Sequence, residues 1–312
     1  MDLYSIGAST CFDHIFIVEN LPKEGSTTKF SIPAINRLEQ TNFGGIAFNV
    51  ATIANGLGLD VTVGYFVGKD FYKKDYDNYL ERKGISLDGL ITVNEKRCGH
   101  CYIVQDKQGN AFKMINTGAS EEANKFEPQE RLIREANMLL VNPVLNDYSL
   151  RATQIGQKAK TDVALHGFIR YRPKEFIQGA DYIFMNETEF KELSQRIGLE
   201  EPRELLDLGP KALFMTQGSS GSKVFTSSRT YEIRKVIPHS LVDSTGAGDA
   251  YVGGVISGLL HGYSTDKSAK FGSVASSFIL EQLGAQSNVP DKKSFSERFT
   301  NNFENIQLEG GE

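Results

Sequence analysis

Asp243-Ser244-Thr245-Gly246-Ala247-Gly248-Asp249 runs directly into Ala250-Tyr251-Val252-Gly253-Gly254-Val255-Ile256-Ser257-Gly258-Leu259-Leu260. A glycine-rich turn is thus followed by a mostly apolar stretch long enough for about three helical turns. Gly246, Ala247 and Gly248 fall at the start of that helix, and Asp249 in its first turn. Unpaired N–H groups and the positive dipole end at a helix start attract anionic oxygen, and small side chains let a phosphate approach the backbone. A carboxylate beside such a cradle can take a proton from a substrate hydroxyl while the N–H groups hold the charge of a phosphoryl group in transit. Taken alone, the turn also fits a plainer reading, in which Asp249 complements the helix dipole and the glycines serve close helix packing. The chain contains no Gly-x-x-x-x-Gly-Lys-Ser/Thr loop, and no Gly-x-Gly-x-x-Gly follows the first strand.

Upstream of this turn, β-type runs at 3–6, 61–66, 138–144, 162–168, 182–185 and 212–216 alternate with polar or amphipathic stretches such as 71–83 and 148–160. That alternation predicts an α/β fold with a mostly parallel central sheet flanked by helices on both faces. Two regions break the rhythm. Residues 12–43 carry Pro22, Gly25 and Pro33 between extended pieces, and 97–116 read as a β-hairpin around Asp106-Lys107-Gln108-Gly109-Asn110. Neither has an apolar run long enough to fold alone. The expectation is one domain over 1–312 with a small β-sheet lid built from segments about 12–43 and 97–116. The Glu309-Gly310-Gly311-Glu312 end is expected to fray.

Composition narrows the partners. With 312 residues, 40% hydrophobic and 23% charged, the chain is of ordinary globular type. A net charge of -5, with no Lys/Arg run, argues for a small-molecule substrate and against nucleic acid or an anionic membrane. No segment approaches the roughly 18 apolar residues of a membrane span, and the N-terminus lacks a secretory pattern, so a cytoplasmic location is expected. Three cysteines cannot form a disulfide framework. Cys98-Gly99-His100-Cys101 has the look of a zinc motif, but no second Cys/His pair follows at suitable spacing. Cys98 and Cys101 are therefore read as small apolar fillers of the hairpin, and His100 as a surface or substrate-facing side chain.

Residues 243–250, Asp-Ser-Thr-Gly-Ala-Gly-Asp-Ala, closely resemble the C-terminal signature of the ribokinase-like (PfkB) carbohydrate kinases. Their N-terminal signature is matched by Gly44-Gly45-Ile46-Ala47-Phe48-Asn49-Val50-Ala51, then by Leu57-Gly58 and Val63-Gly64-Tyr65-Phe66-Val67-Gly68-Lys69-Asp70. Asn186-Glu187-Thr188-Glu189 looks like the family's Asn-x-x-Glu element, Thr216-Gln217-Gly218-Ser219-Ser220-Gly221 like its nucleotide-side turn, and Gly284-Ala285-Gln286 like its late loop. The resemblance implies Asp249 as the base and Gly246, Ala247 and Gly248 as the anion hole. It implies that Asn186, Thr216, Gly218 and Gly221 face ATP, and that Asn186 and Glu189 order Mg²⁺ through waters. It implies Asp13, Gly44, Gly45 and Asn49 on the substrate side, and a monovalent cation such as K⁺ at Asp243 and Thr245 with backbone oxygen near Gly284.

The implied activity is transfer of the γ-phosphoryl group of ATP to a hydroxyl of a small sugar or sugar acid. Relatives acting on 2-keto-3-deoxygluconate often show Asp-x-Asn-x-Arg where this chain has His166-Gly167-Phe168-Ile169-Arg170. Arg170 is the candidate grip on a sugar-acid carboxylate, yet His166 and Phe168 replace the polar pair, and Arg170 or Arg172 also reads as a solvated charge. A nucleoside acceptor is the alternative; Phe12, Phe16, Phe43, Tyr102 and Phe112 are either base-contacting walls or lid core. A sensor that keeps the fold without chemistry is the non-enzyme alternative, and dimerisation through the lid is common among relatives.

Overall fold

The computed structural model describes residues 1–7, 10–22, 30–31, 42–106, 111–304 and 308. Continuous apolar runs become strands buried on both faces, as in Leu3–Ile6, Val61–Val67 and Met138–Val141. Alternate side chains then serve two cores. Leu3, Val63, Leu140 and Ala164 pack with Phe48 and Val252, whereas Tyr4, Ile6, Leu139 and Val163 pack with Leu150 and Phe176. Helices such as Ile46–Gly56 and Ala247–Leu260 cover the first face, and Asp147–Ala159 and Pro173–Gln178 the second.

The large sheet has nine strands. In spatial order they are Thr230–Ile233, Ser222–Thr226, Ala212–Thr216, Tyr182–Asn186, Asp162–His166, Met138–Val141, Leu3–Ile6, Val61–Val67 and Ser86–Thr92. All neighbours are parallel except the two pairings that involve Ser222–Thr226. From Leu3–Ile6 the chain winds first to Val61–Val67 on one side and later to Met138–Val141 on the other. Such a reversal opens a crevice at the carboxyl ends of the strands, the usual ligand position in open α/β sheets.

All six expected strands are present, with two shortened. The run 138–144 stops at Val141 because Pro143 lacks an N–H and opens the short turn of helix Pro143–Leu145. The run 162–168 stops at His166, where Gly167 turns the chain with φ 101°. The expected helix over 71–83 is divided into Asp70–Lys73 and Tyr76–Arg82 by Asp75 in the left-handed region.

The second sheet is mixed. Phe12–Val18 runs parallel to His100–Asp106, which pairs antiparallel with Ala111–Asn116. Phe30–Ser31 and Asn42–Phe43 each pair antiparallel with Phe12–Val18. The hairpin read in 97–116 is therefore present. Gly25, Pro33, the connection 107–110 and the 309–312 end lie outside the described residues. Cys98 belongs to the main core and not to the hairpin, which begins at His100; Cys101 packs under the small sheet with Ile15 and Ile103. His100 is neither exposed nor aimed at the crevice. It bonds His14 at 2.9 Å and Asp70 at 3.3 Å on the other face of the sheet.

Candidate active site

The helix after the glycine turn starts at Ala247, with Gly246 as its cap at φ 80°. Asp243, 1% exposed, holds the turn in place: one carboxylate oxygen accepts the Thr245 N–H at 2.9 Å, and the other accepts the Gly284 N–H at 2.9 Å. The turn is thereby tied to the late loop, where Gly246 meets Ala285. A β-carbon on Gly246 would lie 2.4 Å from Ala285 Cβ and 2.8 Å from its Cα. Positive φ and this contact both demand glycine. Gly246→Ala is therefore expected to lower the melting temperature by about 5–10 °C, several kcal/mol of combined backbone strain and overpacking, and to reduce turnover with it. Thermal scanning fluorimetry alongside an activity assay checks this; an unchanged melting temperature would contradict it.

At the helix start the Ala247 N–H is taken by Ser244 O at 3.2 Å and the Ala250 N–H by Gly246 O at 2.8 Å. Helix geometry leaves the N–H groups of Gly248 and Asp249 to face the crevice. A β-carbon at Gly248 would meet nothing within 4 Å. Of the residues expected as the cradle, Ala247 therefore has its N–H engaged, whereas that of Gly248 is left to the crevice.

Asp249 is held on both carboxylate oxygens. Asn49 Nδ2 donates to Oδ2 at 2.7 Å, and His166 Nε2 lies 2.9 Å from Oδ1. Asn49 is 4% exposed on the helix Ile46–Gly56. Its amide cannot flip, because Gln286 Nε2 donates to its Oδ1 at 2.8 Å. The same Gln286 nitrogen reaches Tyr76 OH at 2.7 Å, and Tyr76 donates in turn to Gly44 O at 2.8 Å. The donors in this chain point one way, so Gly44 and the Asp249 carboxylate are linked by a polarised network. At the other oxygen, burial disfavours a charged His166, but the hydrogen bond and charge of Asp249 outweigh it and raise the imidazole above its ordinary value, with Glu189 adding to the rise.

Asp13 stands behind Gly44. A β-carbon there would lie 2.3 Å from Asp13 Oδ2, so only glycine permits this approach. Burial pushes the Asp13 carboxyl up to about 7; Lys113 pulls it down, and the charges of Asp249 and Asp243 push it further up. Asp13, Gly44, Asn49 and Asp249 are thus brought together, with Gly45 capping the Asn49 helix at φ 99°.

In front of Asp249 opens a cleft of about 670 Å³ along the carboxyl ends of the strands. His166, Asn186 and Thr216 reach it from three successive strand ends, and Lys113 and Ile115 from the small sheet. Asn186 and Glu189 form a capping box on the helix Glu187–Ile197: Asn186 Oδ1 accepts the Glu189 N–H at 2.9 Å, and Glu189 Oε2 accepts the Asn186 N–H at 2.7 Å. The cap engages Oε2, and Glu189 is among the residues lining the cleft. Among the described residues no three His, Cys, Asp or Glu side chains converge as a metal cage. A hard cation here would keep most of its waters, as Mg²⁺ does.

Other expected residues stand further off. Gly218 and Gly221 sit in the turn after Thr216, outside the cleft wall. Arg170 is on the rim, but its guanidinium lies over the Phe168 ring at 4.2 Å and forks onto Glu192 at 2.7 and 2.9 Å. Arg172 pairs with Glu175. Of the proposed aromatic walls, Phe12 is core, Phe43 stacks on Tyr76 at 4.1 Å, and Tyr102 and Phe112 are exposed. The aromatic residues lining the cleft are Phe168 and Tyr171 together with the buried Phe184, Phe214 and Tyr251, and Val144 and Ile115 add exposed apolar surface. His166 and Gln286 were given no role in the sequence reading; a histidine at the carboxyl end of a central strand was the available signal.

An α/β sheet with a carboxylate at a glycine-rich helix start, facing a cleft at its topological switch point, defines a phosphotransferase architecture. The pfkB family carbohydrate kinase model matches residues 3–292, and the chain belongs to that family, whose members phosphorylate hydroxyl groups of sugars and nucleosides. It is 28% identical over 307 residues to a nucleoside kinase of Methanothermobacter thermautotrophicus, covering 96% of each chain. It is 27% identical over 300 residues to a ribokinase of Arabidopsis thaliana, covering 89% of this chain and 76% of the relative. The fold matches that of a Methanocaldococcus jannaschii nucleoside kinase with a TM-score of 0.83 at 24% identity, covering 96% and 98% of the two chains. No helix among the described residues is long and apolar enough to cross a membrane.

Proposed function

We propose that the chain transfers the γ-phosphoryl group of ATP to the primary hydroxyl of a ribose-type sugar, carried foremost on a nucleoside, with Asp249 as general base. The observation that carries this reading is the Asp249 carboxylate, fixed by Asn49 and His166 beside the free helix-start N–H groups at the floor of the cleft. Asp249 accepts the hydroxyl proton as the acceptor oxygen bonds to the γ-phosphorus and the bond to the β–γ bridging oxygen breaks, releasing ADP. The N–H groups of Gly248 and Asp249 hold the charge on the phosphoryl oxygens. Asp13 takes two sugar hydroxyls, and Gly44 lets the ring approach it.

Thr216, with Gly218 and Gly221 in the following turn, flanks the nucleotide side. Glu189 and Asn186 hold waters of a Mg²⁺ ion, which when bound offsets the triphosphate charge. Asp243, Thr245 and the backbone near Gly284 form the monovalent-cation site of this reading; each Asp243 oxygen accepts one N–H and keeps a lone pair.

A nucleoside is favoured over a sugar acid by the rim. Arg170 is spent on Glu192, and Phe168, Tyr171, Val144 and Ile115 offer apolar surface to a base. The nucleoside kinases among the relatives support the same choice. The unpaired cysteines suit a cytoplasmic setting. The outer face of the small sheet, with Phe112 58% and Met114 49% exposed, suits a homodimer.

A panel of adenosine, inosine, ribose, fructose and 2-keto-3-deoxygluconate, followed by coupled ADP release with MgATP, tests the reading. A nucleoside is expected to give a kcat/KM at least about tenfold above any free sugar, the worth of one well-filled apolar contact. A sugar acid as best acceptor would overturn the nucleoside assignment.

A further inference from the structure

We propose that His166 is a positioning residue for phosphoryl transfer: its Nε2–H aims the Asp249 carboxylate at the acceptor hydroxyl. The proposal rests on the reading of Asp249 as the base. His166 and Asp249 come from a strand end and a helix start far apart in the chain, yet their side chains meet at 2.9 Å with only 13% and 15% exposure. An ionised carboxylate only accepts hydrogen bonds, so Nε2 carries the hydrogen in this contact.

The ring is built into a rigid support. His166 closes the strand Asp162–His166, and its carbonyl accepts the buried Asn142 side-chain N–H at 2.8 Å. Asn142 is itself fixed through its carbonyl, which accepts Ser149 Oγ–H at 2.7 Å. Beyond His166, the Gly167 N–H engages the Phe184 carbonyl at 3.1 Å. The remaining ring nitrogen, Nδ1, is buried on the side of that same Phe184 carbonyl, which favours a hydrogen there as well. The bond to a side chain is the one at Nε2, and it is directed at Asp249.

Two donors on a carboxylate fix its plane and torsion and leave one lone pair on each oxygen for the incoming hydroxyl. Asn49 has a counterpart in the family signature quoted above, whereas His166 stands where the quoted pattern has Asp. The grip thus differs from what that sugar-acid pattern would supply at the same place.

The test compares His166→Phe, which keeps a ring but removes the donor, with His166→Gln, whose amide places a donor near the same point. Turnover is measured by ADP release with the acceptor that responds best in the panel above. The Phe variant is expected to lose about 10–100-fold in kcat, with KM for acceptor and ATP within about threefold, and the Gln variant to recover most of it. Equal losses in both variants with raised KM, or a Phe variant at wild-type turnover, would overturn the proposal. ¹⁵N imidazole spectra of the ligand-free full chain provide an arm that needs no turnover. Nε2 is expected to carry the proton and to shift on Asp249→Asn; an unprotonated Nε2 at neutral pH overturns the proposal even where the Phe variant fails to fold. Asp249→Asn measured in parallel separates the two readings: high residual turnover there removes the base, whereas a silent Phe variant beside a dead Asn variant removes only the positioning.

Discussion

Asp249→Asn is expected to lower kcat by about 10²–10⁴-fold while leaving the Kd for ATP within about twofold. Asn preserves the volume at the helix start and removes the proton acceptor. It also disturbs the grip on the side chain. Asn49 Nδ2 and the His166 ring both present hydrogens to the carboxylate, and an amide can accept only one of them. The Asn49 amide is held by Gln286 and cannot turn, so the new carbonyl faces Asn49 and the new NH₂ faces His166. His166 can answer only by keeping its hydrogen on Nδ1, toward a Phe184 carbonyl already engaged by the Gly167 N–H. That misfit is expected to cost about 1–3 kcal/mol of stability, far below the loss in rate. Steady-state kinetics with titration calorimetry for ATP checks both parts; a variant retaining a tenth or more of wild-type turnover would remove Asp249 from the role of base.

Much of this arrangement was legible in the chain, for reasons that differ by region. The six inner strands are buried on both faces, so their apolar runs are continuous and stand out. Ser86–Thr92, which carries Asp88 and Gly89, and Thr230–Ile233 went unread because they are the two edges of the sheet, which tolerate polar residues and short lengths, and Ser222–Thr226 went unread because it is short and carries Ser222, Lys223 and Thr226. The turn 243–249 was legible because its cap, its cradle and its carboxylate are contiguous. The roles of His166, Gln286 and Tyr76 were not, because they arise from contacts 83, 237 and 210 residues apart; the strand-end place of His166 and the late-loop match of Gln286 mark a position but not a partner. The choice left open for the aromatic residues is settled by contacts of the same long-range kind: Phe12 and Phe43 pack on Tyr76 and take the core alternative.

Asp13→Asn is expected to raise KM for the acceptor by about 10–100-fold with little change for ATP, and at the same time to stabilise the ligand-free protein at high pH. The first effect follows from lone pairs. A carboxylate accepts from two sugar hydroxyls, whereas an amide turns an NH₂ toward one of them. The second follows from burial. The Asp13 carboxyl, 6% exposed, titrates at about 7 in the folded protein against an ordinary 3.8 in the unfolded chain. Below 3.8 both states hold the proton and the group contributes nothing to pH dependence. Above it the unfolded chain releases a proton that the fold retains, so stability falls by about 1.4 kcal/mol per pH unit until about 7 and then levels off. Asn carries no charge in either state and escapes that loss. Its melting temperature should therefore exceed wild type by about 3–8 °C at pH 8, and the gap should shrink by more than half at pH 5. A gap that stays constant between these pH values, or widens toward acid, would show that Asp13 is not held against its charge. A variant more stable yet weaker for the acceptor is what a binding group carried at the expense of the fold should give, because the buried charge is then matched only when sugar hydroxyls donate to it.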